Sequence, residues 1–156
     1  MLQTLQYKNR LLYSKYDPAR AVLSLLQKNT PIDSASLILI CSPCLCYGLD
    51  ELCAAADTEA DIVAVGANAA KATMDAKADI VAIEADEQLC AIARRRLAAC
   101  SSGGRVSLFS AGELDALDAH LRRLAATGRY RRVLRLDFSA GTALEPAFYS
   151  RVTAAA

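Results

Sequence analysis

The chain of 156 residues carries 18 basic and 17 acidic side chains, a net charge of +1, and is 54% hydrophobic. This balance argues against broad electrostatic binding to nucleic acid or anionic lipid, and the hydrophobic content argues against a disordered chain. The length suits one domain, and we find neither an apolar run of membrane-spanning length nor a signal-peptide core, so we expect a cytoplasmic protein without nucleic-acid or membrane partners.

Residues 1–32 are predicted to form an N-terminal arm followed by a helix. The segment 5–16, LQYKNRLLYSKY, mixes aromatic and basic residues with period-two stretches, which is typical of a short hairpin or an extended arm. A helix is predicted from Pro18 to Lys28, because Asp17 can cap free N–H groups and Pro18 suits the first helical position. The arm's tyrosines and basic residues fit contacts to a phosphate or a partner, and equally fit ordinary packing with solvated polar ends.

The next segment, Ser36–Leu52, predicts a strand at Leu37–Cys41, a tight loop and a helix that opens near Gly48. In such a layout, backbone N–H groups and the positive end of the helix dipole surround an anionic ligand. Nucleotide-binding loops usually carry glycines, but here Ser42, Cys44 and Cys46 take their places. We therefore take these three residues and Gly48 as candidate cofactor-binding positions. Because a Cβ atom restricts positive φ angles and close approach of a phosphate, the pattern also predicts a degenerate loop.

The six cysteines allow two interpretations. Cys41, Cys44 and Cys46 form a C-x-x-C-x-C motif that could ligate a metal ion or an iron–sulfur cluster, or the thiols could simply fill small apolar spaces. There is no second Cys or His pair at zinc-finger spacing, and the single histidine, His120, lies far downstream on a helix where we expect it to be exposed. We therefore predict reduced thiols and no metal site.

An 18-residue repeat follows, with copies at 60–77 and 78–95 that begin ADIVAVGAN and ADIVAIEAD. Each copy predicts a strand. In nucleotide folds, an acidic residue at the end of the second strand lies about 20 residues after the glycine-rich loop and binds a ribose hydroxyl. Glu84 lies 38 residues after Cys46, and removing one copy of the repeat leaves 20. Glu84 is therefore a candidate ribose ligand, although it could instead cap the following helix.

The rest of the sequence continues the alternation of helices and strands. Asp137 ends the last predicted strand, where this fold class places ligand contacts, and could also cap the loop that follows. Residues 33–156 are thus predicted to form a Rossmann-like, methyltransferase-like α/β domain with a mostly parallel sheet of four to five strands, an incomplete set for this fold. The remaining predicted elements are helices at Asp86–Ala99, at Glu113–Thr127 and from about Glu145, and strands at Val106–Phe109 and Val133–Asp137.

Two family resemblances emerge from these segments. LILICSPCLCYG, DIVAIEADEQLCAIARRRL, RVSLFSAGELDAL and YRRVLRLDF follow, in order, the first four strands of S-adenosylmethionine-dependent methyltransferases. This resemblance implies S-adenosylmethionine as the cofactor. It would place Glu84 on the ribose hydroxyls and the loop 42–48 near the methionine end.

The second resemblance is narrower. YKNRLLYSKYDPARAVLSLL, CYGLDEL and IVAIEADEQL resemble the N-terminal region of the motility-associated factor (Maf) glycosyltransferases of flagellated bacteria. The family is expected to transfer a nonulosonic acid from a CMP-activated donor to flagellin, with its donor-binding part downstream of this region. The resemblance implies an accessory or degenerate domain whose partners are the remaining glycosyltransferase domains or flagellin. The matching residues are Tyr13 to Pro18, then Leu45, Tyr47, Leu49, Glu51 and Leu52, and finally Glu84 and Asp86.

Overall fold

A computed structural model describes residues 4–29, 31–58 and 78–155. The first copy of the repeat, 60–77, lies outside the described residues, so its strand stays a prediction. None of the helices described is both long and apolar enough to cross a lipid bilayer. In chain order the elements are β1 (Gln6–Tyr7), β2 (Arg10–Leu11), α1 (Arg20–Asn29), β3 (Ser36–Cys41), α2 (Leu49–Thr58), β4 (Asp79–Glu84), α3 (Glu87–Ala99), β5 (Val106–Ser110), α4 (Leu114–Ala126), β6 (Arg132–Asp137) and α5 (Pro146–Ala155).

Strands β3 to β6 form one parallel sheet in the order β5-β4-β3-β6. Ile38 of β3 lies opposite Ile80 of β4 on one side and opposite Leu134 of β6 on the other. This confirms the predicted α/β class, with four parallel strands flanked by helices, and it is consistent with a Rossmann-like fold. The strand order reverses between β3 and β6, and open α/β sheets bind ligands at the carboxyl ends of the strands beside such a reversal.

The central strand β3 is buried along its whole length, as expected for a parallel strand covered on both faces. Its side chains alternate between two cores. Ile38 and Ile40 pack with α1 and α2, whereas Leu37 and Leu39 pack with α4 and α5. Each fully buried side chain of this size contributes roughly 1.5–3 kcal/mol, so the two cores hold β3 and the loop after it in place.

Local capping sets the helix ends. The Asp17 carboxylate accepts a hydrogen bond from the Arg20 N–H (3.1 Å), which confirms the predicted cap, although α1 begins at Arg20 and not at Pro18. Asp86 caps α3 by accepting from the N–H groups of Gln88 and Leu89. Gly128 follows α4 with a φ of +63°, a conformation that suits glycine at a helix end.

The exposure predicted for His120 is wrong. Its ring is half-buried and lies 5.3 Å from the ring of Phe109, and its Nδ1 atom is hydrogen-bonded to Arg123 (2.7 Å). Burial, followed by the nearby Arg123 charge, lowers the pKa of His120. The imidazole thus packs between α4 and β5.

The N-terminal arm is a hairpin, the first of the two predicted forms. Lys8 and Asn9 have φ angles of 48° and 60°, as in the two-residue turns whose twist suits β-hairpins. We call residues 4–13 the strap, because they cross the carboxyl edge of the sheet. The Leu12 carbonyl accepts a hydrogen bond from Ala140 N–H (3.0 Å), in the loop after β6.

Candidate functional site

The β3–α2 loop (residues 42–48) has the backbone of a glycine-rich loop without most of the glycines. The φ angles of Ser42, Cys44, Cys46 and Gly48 are 53°, 46°, 58° and 87°. This conformation costs a residue with a side chain about 1–2 kcal/mol. Strained positions of this kind cluster at ligand and switch sites. All four sequence-predicted loop positions therefore have the positive φ angles that are typical of glycine-rich loops.

Part of the loop's backbone is hydrogen-bonded within the protein. Pro43 has no N–H, and three N–H groups of the loop donate hydrogen bonds, namely those of Ser42, Leu45 and Cys46, as does that of Leu49 at the start of α2. An anion cradle needs such groups to point freely into solvent. Their acceptors are, in that order, the carbonyl of Ile83 (2.9 Å), the hydroxyl of Tyr13 (2.9 Å), the carbonyl of Pro43 (2.7 Å) and the carbonyl of Cys46 (3.2 Å).

Tyr13 of the strap covers the β3–α2 loop. Its hydroxyl donates to the Pro43 carbonyl (2.9 Å) and accepts from the Leu45 N–H, so it bridges two peptide groups of the loop. The ring is buried and contacts Tyr47 edge-on at 5.1 Å. Burial raises the pKa of Tyr13 well above its ordinary value, which keeps the phenol neutral and able both to donate and to accept.

Glu84 ends β4 in a buried polar cluster. It is only 1% exposed, and its two oxygens accept from the Tyr149 hydroxyl (2.8 Å) and the Ser42 hydroxyl (3.0 Å). Ser42 Oγ also lies 2.9 Å from Ser139 Oγ, in the loop after β6. We call Ser42, Glu84, Ser139 and Tyr149 the inner network. Burial raises the pKa of Glu84, and the hydroxyl donors oppose that rise only in part.

The inner network joins three neighbouring strand ends at the point where the strand order reverses. Ser42 follows β3, Glu84 ends β4 and Ser139 follows β6, so the structure brings two of the predicted site residues together. The Glu84 carboxyl is turned into the protein, where hydroxyl groups occupy both oxygens. A ribose could reach it only if these contacts rearranged, so its predicted role as a ribose ligand stays a prediction.

A glycine and a tyrosine complete this arrangement. The Gly141 N–H donates to Ser139 Oγ (3.1 Å), and a Cβ atom at Gly141 would overlap Ser42 Oγ. The Tyr149 hydroxyl also accepts from the Ala85 N–H (3.0 Å). Sequence reasoning missed Tyr149, because one tyrosine on the apolar face of a short helix carries no signal that separates it from core packing.

Two residues beyond Glu84, Asp86 makes a second and more exposed contact. Lys8 Nζ lies 2.8 Å from its carboxylate, and the Tyr7 hydroxyl donates to it at 3.1 Å. Partial burial by itself raises the pKa of Asp86. The hydrogen bonds from Lys8, Leu89 N–H and Tyr7 outweigh this effect, so the pKa of Asp86 is below its ordinary value. We call Tyr7, Lys8 and Asp86 the outer contact, which fastens the strap to the start of α3.

Asp137 lies at the end of β6 but faces α5. Arg135 Nε is 2.9 Å from its carboxylate, and Arg135 also donates to the Thr153 hydroxyl on α5 (3.2 Å). The Asp137 side chain is 44% exposed. Asp137 is thus paired with Arg135, which in turn contacts α5. The role of Asp137 as a ligand contact stays a prediction.

The three motif cysteines point into different parts of the core. Cys41 packs on the α4 and α5 side, Cys44 packs under the strap with Leu12, and Cys46 packs with α1 and α2. Burial raises the pKa of each thiol to about 12. Within residues 4–29, 31–58 and 78–155, no group of three or more His, Cys, Asp or Glu side chains could hold a metal ion. The thiols thus pack as small apolar groups.

One open cavity, of about 370 Å³, adjoins the loop on the side of α2. It is lined by loop residues and also by Asp50, Glu51, Arg96 and Cys100. The two carboxylates lie in the first turn of α2. The positive end of the helix dipole stabilises them there, and they repel an anion that approaches the same end. Arg96 lines the same cavity, so its lining combines both signs of charge.

Comparison with known proteins gave no family model, no curated protein and no solved structure that matches this chain. Functional inference therefore depends on the geometry of the carboxyl edge and on the motifs themselves.

Proposed function

We propose that this chain is a Rossmann-like accessory domain of a Maf-type flagellin glycosyltransferase, without an open donor site of its own. The observation that carries this proposal is the closure of the β3–α2 loop. Three of its N–H groups, and that of Leu49 at the start of α2, are bound internally, and Tyr13 spans the loop from Pro43 to Leu45. A loop in this state stabilises the domain and does not offer its backbone to a phosphate.

Contacts between the segments that carry the Maf resemblance support this choice. Tyr13 of the first segment contacts the matching residues Leu45 and Tyr47. Tyr7 and Lys8 of the first segment contact Asp86 of the third. Asp17 of the first segment caps α1, which packs beside α2. Three separate pieces of the motif thus build a single closed edge, as expected if the motif preserves a fold and not a catalytic centre.

The accessory role can be tested by exchanging domains. A Maf glycosyltransferase whose own N-terminal region is replaced by this chain is expected to glycosylate flagellin, measured as added mass on the intact protein. The matched control is the same enzyme with that region deleted. A chimera no more active than the deletion would contradict the Maf assignment.

A second measurement addresses catalysis by the chain alone. The isolated chain, incubated with a CMP-activated nonulosonic acid and flagellin, is expected to add no sugar. Flagellin that gains the mass of one or more sugar residues in this mixture would contradict the accessory part of the proposal.

A small S-adenosylmethionine-dependent methyltransferase is the alternative. The positive φ angles at Ser42, Cys44, Cys46 and Gly48, with Glu84 beside them, favour it because they keep the backbone of a ligand loop at the strand reversal. Calorimetry with millimolar S-adenosylmethionine and S-adenosylhomocysteine separates the two proposals. A saturable heat of binding that is lost in Glu84→Ala would support the methyltransferase. The absence of a heat of binding with either ligand would contradict it.

A further inference from the structure

Another cavity, of about 280 Å³, opens at the amino edge of the sheet. Leu37, which lines it, is the second residue of β3, and Arg132 and Val133 begin β6. The inner network instead joins the carboxyl ends of the same parallel strands. The cavity is therefore separate from the candidate site described above.

The lining of this cavity is mostly apolar. Leu37 and Leu121 are buried and belong to the core on the α4 and α5 side of the sheet. Ala125 extends this surface along α4, and Val133 extends it along β6. Small-molecule sites combine such a lining with a few polar groups, and drug-sized ligands occupy about 300–1,000 Å³. This volume therefore suits a smaller molecule.

The charged part of the lining comes from two arginines, and no acidic residue of the described chain lines the cavity. Arg132 is fixed, because its Nε and Nη2 atoms lie 3.3 and 3.2 Å from Ser36 Oγ and Nη2 also donates to the Pro31 carbonyl. The backbone N–H of Arg131 donates to the Ala35 carbonyl (2.9 Å). Among the described residues, neither the exposed Arg131 side chain nor Nη1 of Arg132 makes a hydrogen bond. Both guanidinium groups therefore keep N–H donors for a ligand.

Two carboxylates near these residues already have partners. Asp79 Oδ2 lies 2.7 Å from Arg129 Nη2 and also accepts a hydrogen bond from the Tyr130 hydroxyl. Asp33 accepts from the Ser36 hydroxyl (2.7 Å), and neither carboxylate lines the cavity. The charges that line the cavity are therefore positive, and they favour an anionic ligand.

We propose that this cavity binds a small monocarboxylate with an apolar body. Its carboxylate accepts hydrogen bonds from Arg131 and Arg132, because planar guanidinium groups match the geometry of a carboxylate. Its hydrocarbon part packs on Leu37, Leu121 and Val133. A phosphate fits less well, since it carries more charge and would lose more hydration on an apolar surface. The proposal is independent of the proposed function, because it uses no residue of the strap or of the β3–α2 loop.

Titration with hexanoate, followed by the amide chemical shifts of nitrogen-15-labelled protein, tests the proposal. We expect saturable shifts of the amides that line the cavity. Hexanamide, which has the same shape without the charge, should bind about tenfold or more weakly. From butyrate to pentanoate to hexanoate, the affinity should rise about fourfold for each added CH₂ group. Absence of saturable shifts at these amides would overturn the proposal, as would equal affinities for hexanoate and hexanamide or for the three acids.

Arg131→Gln removes one guanidinium group and should raise the dissociation constant of hexanoate about fivefold or more. Arg95→Gln is the matched control, because it makes the same change at an exposed position of α3 and should leave the constant unchanged. Equal effects of the two variants would mean that hexanoate responds only to net charge, which would overturn the assignment of this cavity.

Ala125→Glu adds a carboxylate to the lining, where it competes for the two arginines and should abolish saturable binding. Ala126→Glu adds the same charge at the next exposed position of α4, outside the lining, and should leave binding intact. Hexanoate that binds equally well to both variants would contradict the proposed site. Both positions are exposed, so we expect folded variants, which circular dichroism checks.

N-acetyl-leucine distinguishes a free acid from the carboxyl terminus of a peptide, which carries the same carboxylate. It should bind more weakly than hexanoate, because the apolar lining would strip water from its peptide group without replacing the lost hydrogen bonds. Tighter binding of N-acetyl-leucine would overturn the assignment to a free acid.

Discussion

Glu84 and Asp86 lie two residues apart at the end of the same strand, yet their surroundings shift their acidities in opposite directions. Glu84 is buried among neutral hydroxyl groups, and its pKa is raised. Asp86 is partly exposed, receives the Lys8 ammonium and two backbone N–H groups, and its pKa is lowered. The comparison teaches that a position at a strand end does not determine a carboxylate's role. That role is determined by the segments from other parts of the chain that contact the carboxylate.

The largest expected effect comes from removing the buried carboxyl. Glu84→Ala leaves the Ser42 and Tyr149 hydroxyls without their shared acceptor and opens a cavity, so the free energy of unfolding should fall by about 3 kcal/mol. Urea denaturation followed by circular dichroism measures it. Glu84→Gln keeps the volume and one acceptor and should lose less than half as much. Equal losses in the two variants would contradict this expectation, because the volume and the acceptor that Glu84→Gln retains would then contribute nothing.

Crowding the inner network should have the next largest effect. Gly141→Ala drives a Cβ atom into Ser42 Oγ and should reduce the free energy of unfolding by about 2 kcal/mol, as for other overpacked sites. Gly104→Ala is its control, because a Cβ atom there meets no atom within 4 Å. The same thermal melt for both variants would contradict the tight approach of Gly141 to Ser42.

The outer contact should respond more weakly. Asp86→Ala removes the cap of α3 and should cost about 1 kcal/mol in the free energy of unfolding. Asp118→Ala removes an acidic partner of an exposed ion pair within α4 and should cost less than about 0.5 kcal/mol. If the two variants are equally stable in urea, capping by Asp86 contributes nothing measurable.

The pH dependence of the free energy of unfolding should distinguish Glu84 from Asp86 most clearly, although it is the smallest of these effects. The Glu84 contribution is complete below its ordinary pKa of 4.5 and is lost as pH rises through the raised folded-state pKa. The Asp86 contribution is complete above its ordinary pKa of 3.8 and is lost as pH falls through the lowered folded-state pKa.

Urea denaturation at a series of pH values should therefore show that Glu84→Gln flattens the stability profile above pH 4.5. Asp86→Asn should flatten it below pH 3.8. Profiles of unchanged shape in both variants would mean that neither pKa is shifted by folding.

Periodicity and caps carried enough information to predict the sheet. β3 lies one residue from its predicted start, and Asp17 caps α1 as its position suggested. The position of the loop was predicted from its spacing, but the positive φ angles at Ser42, Cys44 and Cys46 were not, because the Cβ atoms of serine and cysteine disfavour them. The closure of the loop by Tyr13 and the contact of Tyr149 with the buried Glu84 could not be predicted, because their partners are distant in sequence. Hydrophobic periodicity reports which face is buried, not which buried groups meet.

The strap also bears on the order of folding. Its hydroxyl contacts join residues far apart in the chain, 30 residues for Tyr13 with Pro43 and 79 for Tyr7 with Asp86. Contacts that close long loops carry a high entropic cost and form late. The strap should therefore be among the last elements of this domain to dock. A bulky tag at the amino terminus should slow the final step of refolding more than the same tag at the carboxyl terminus.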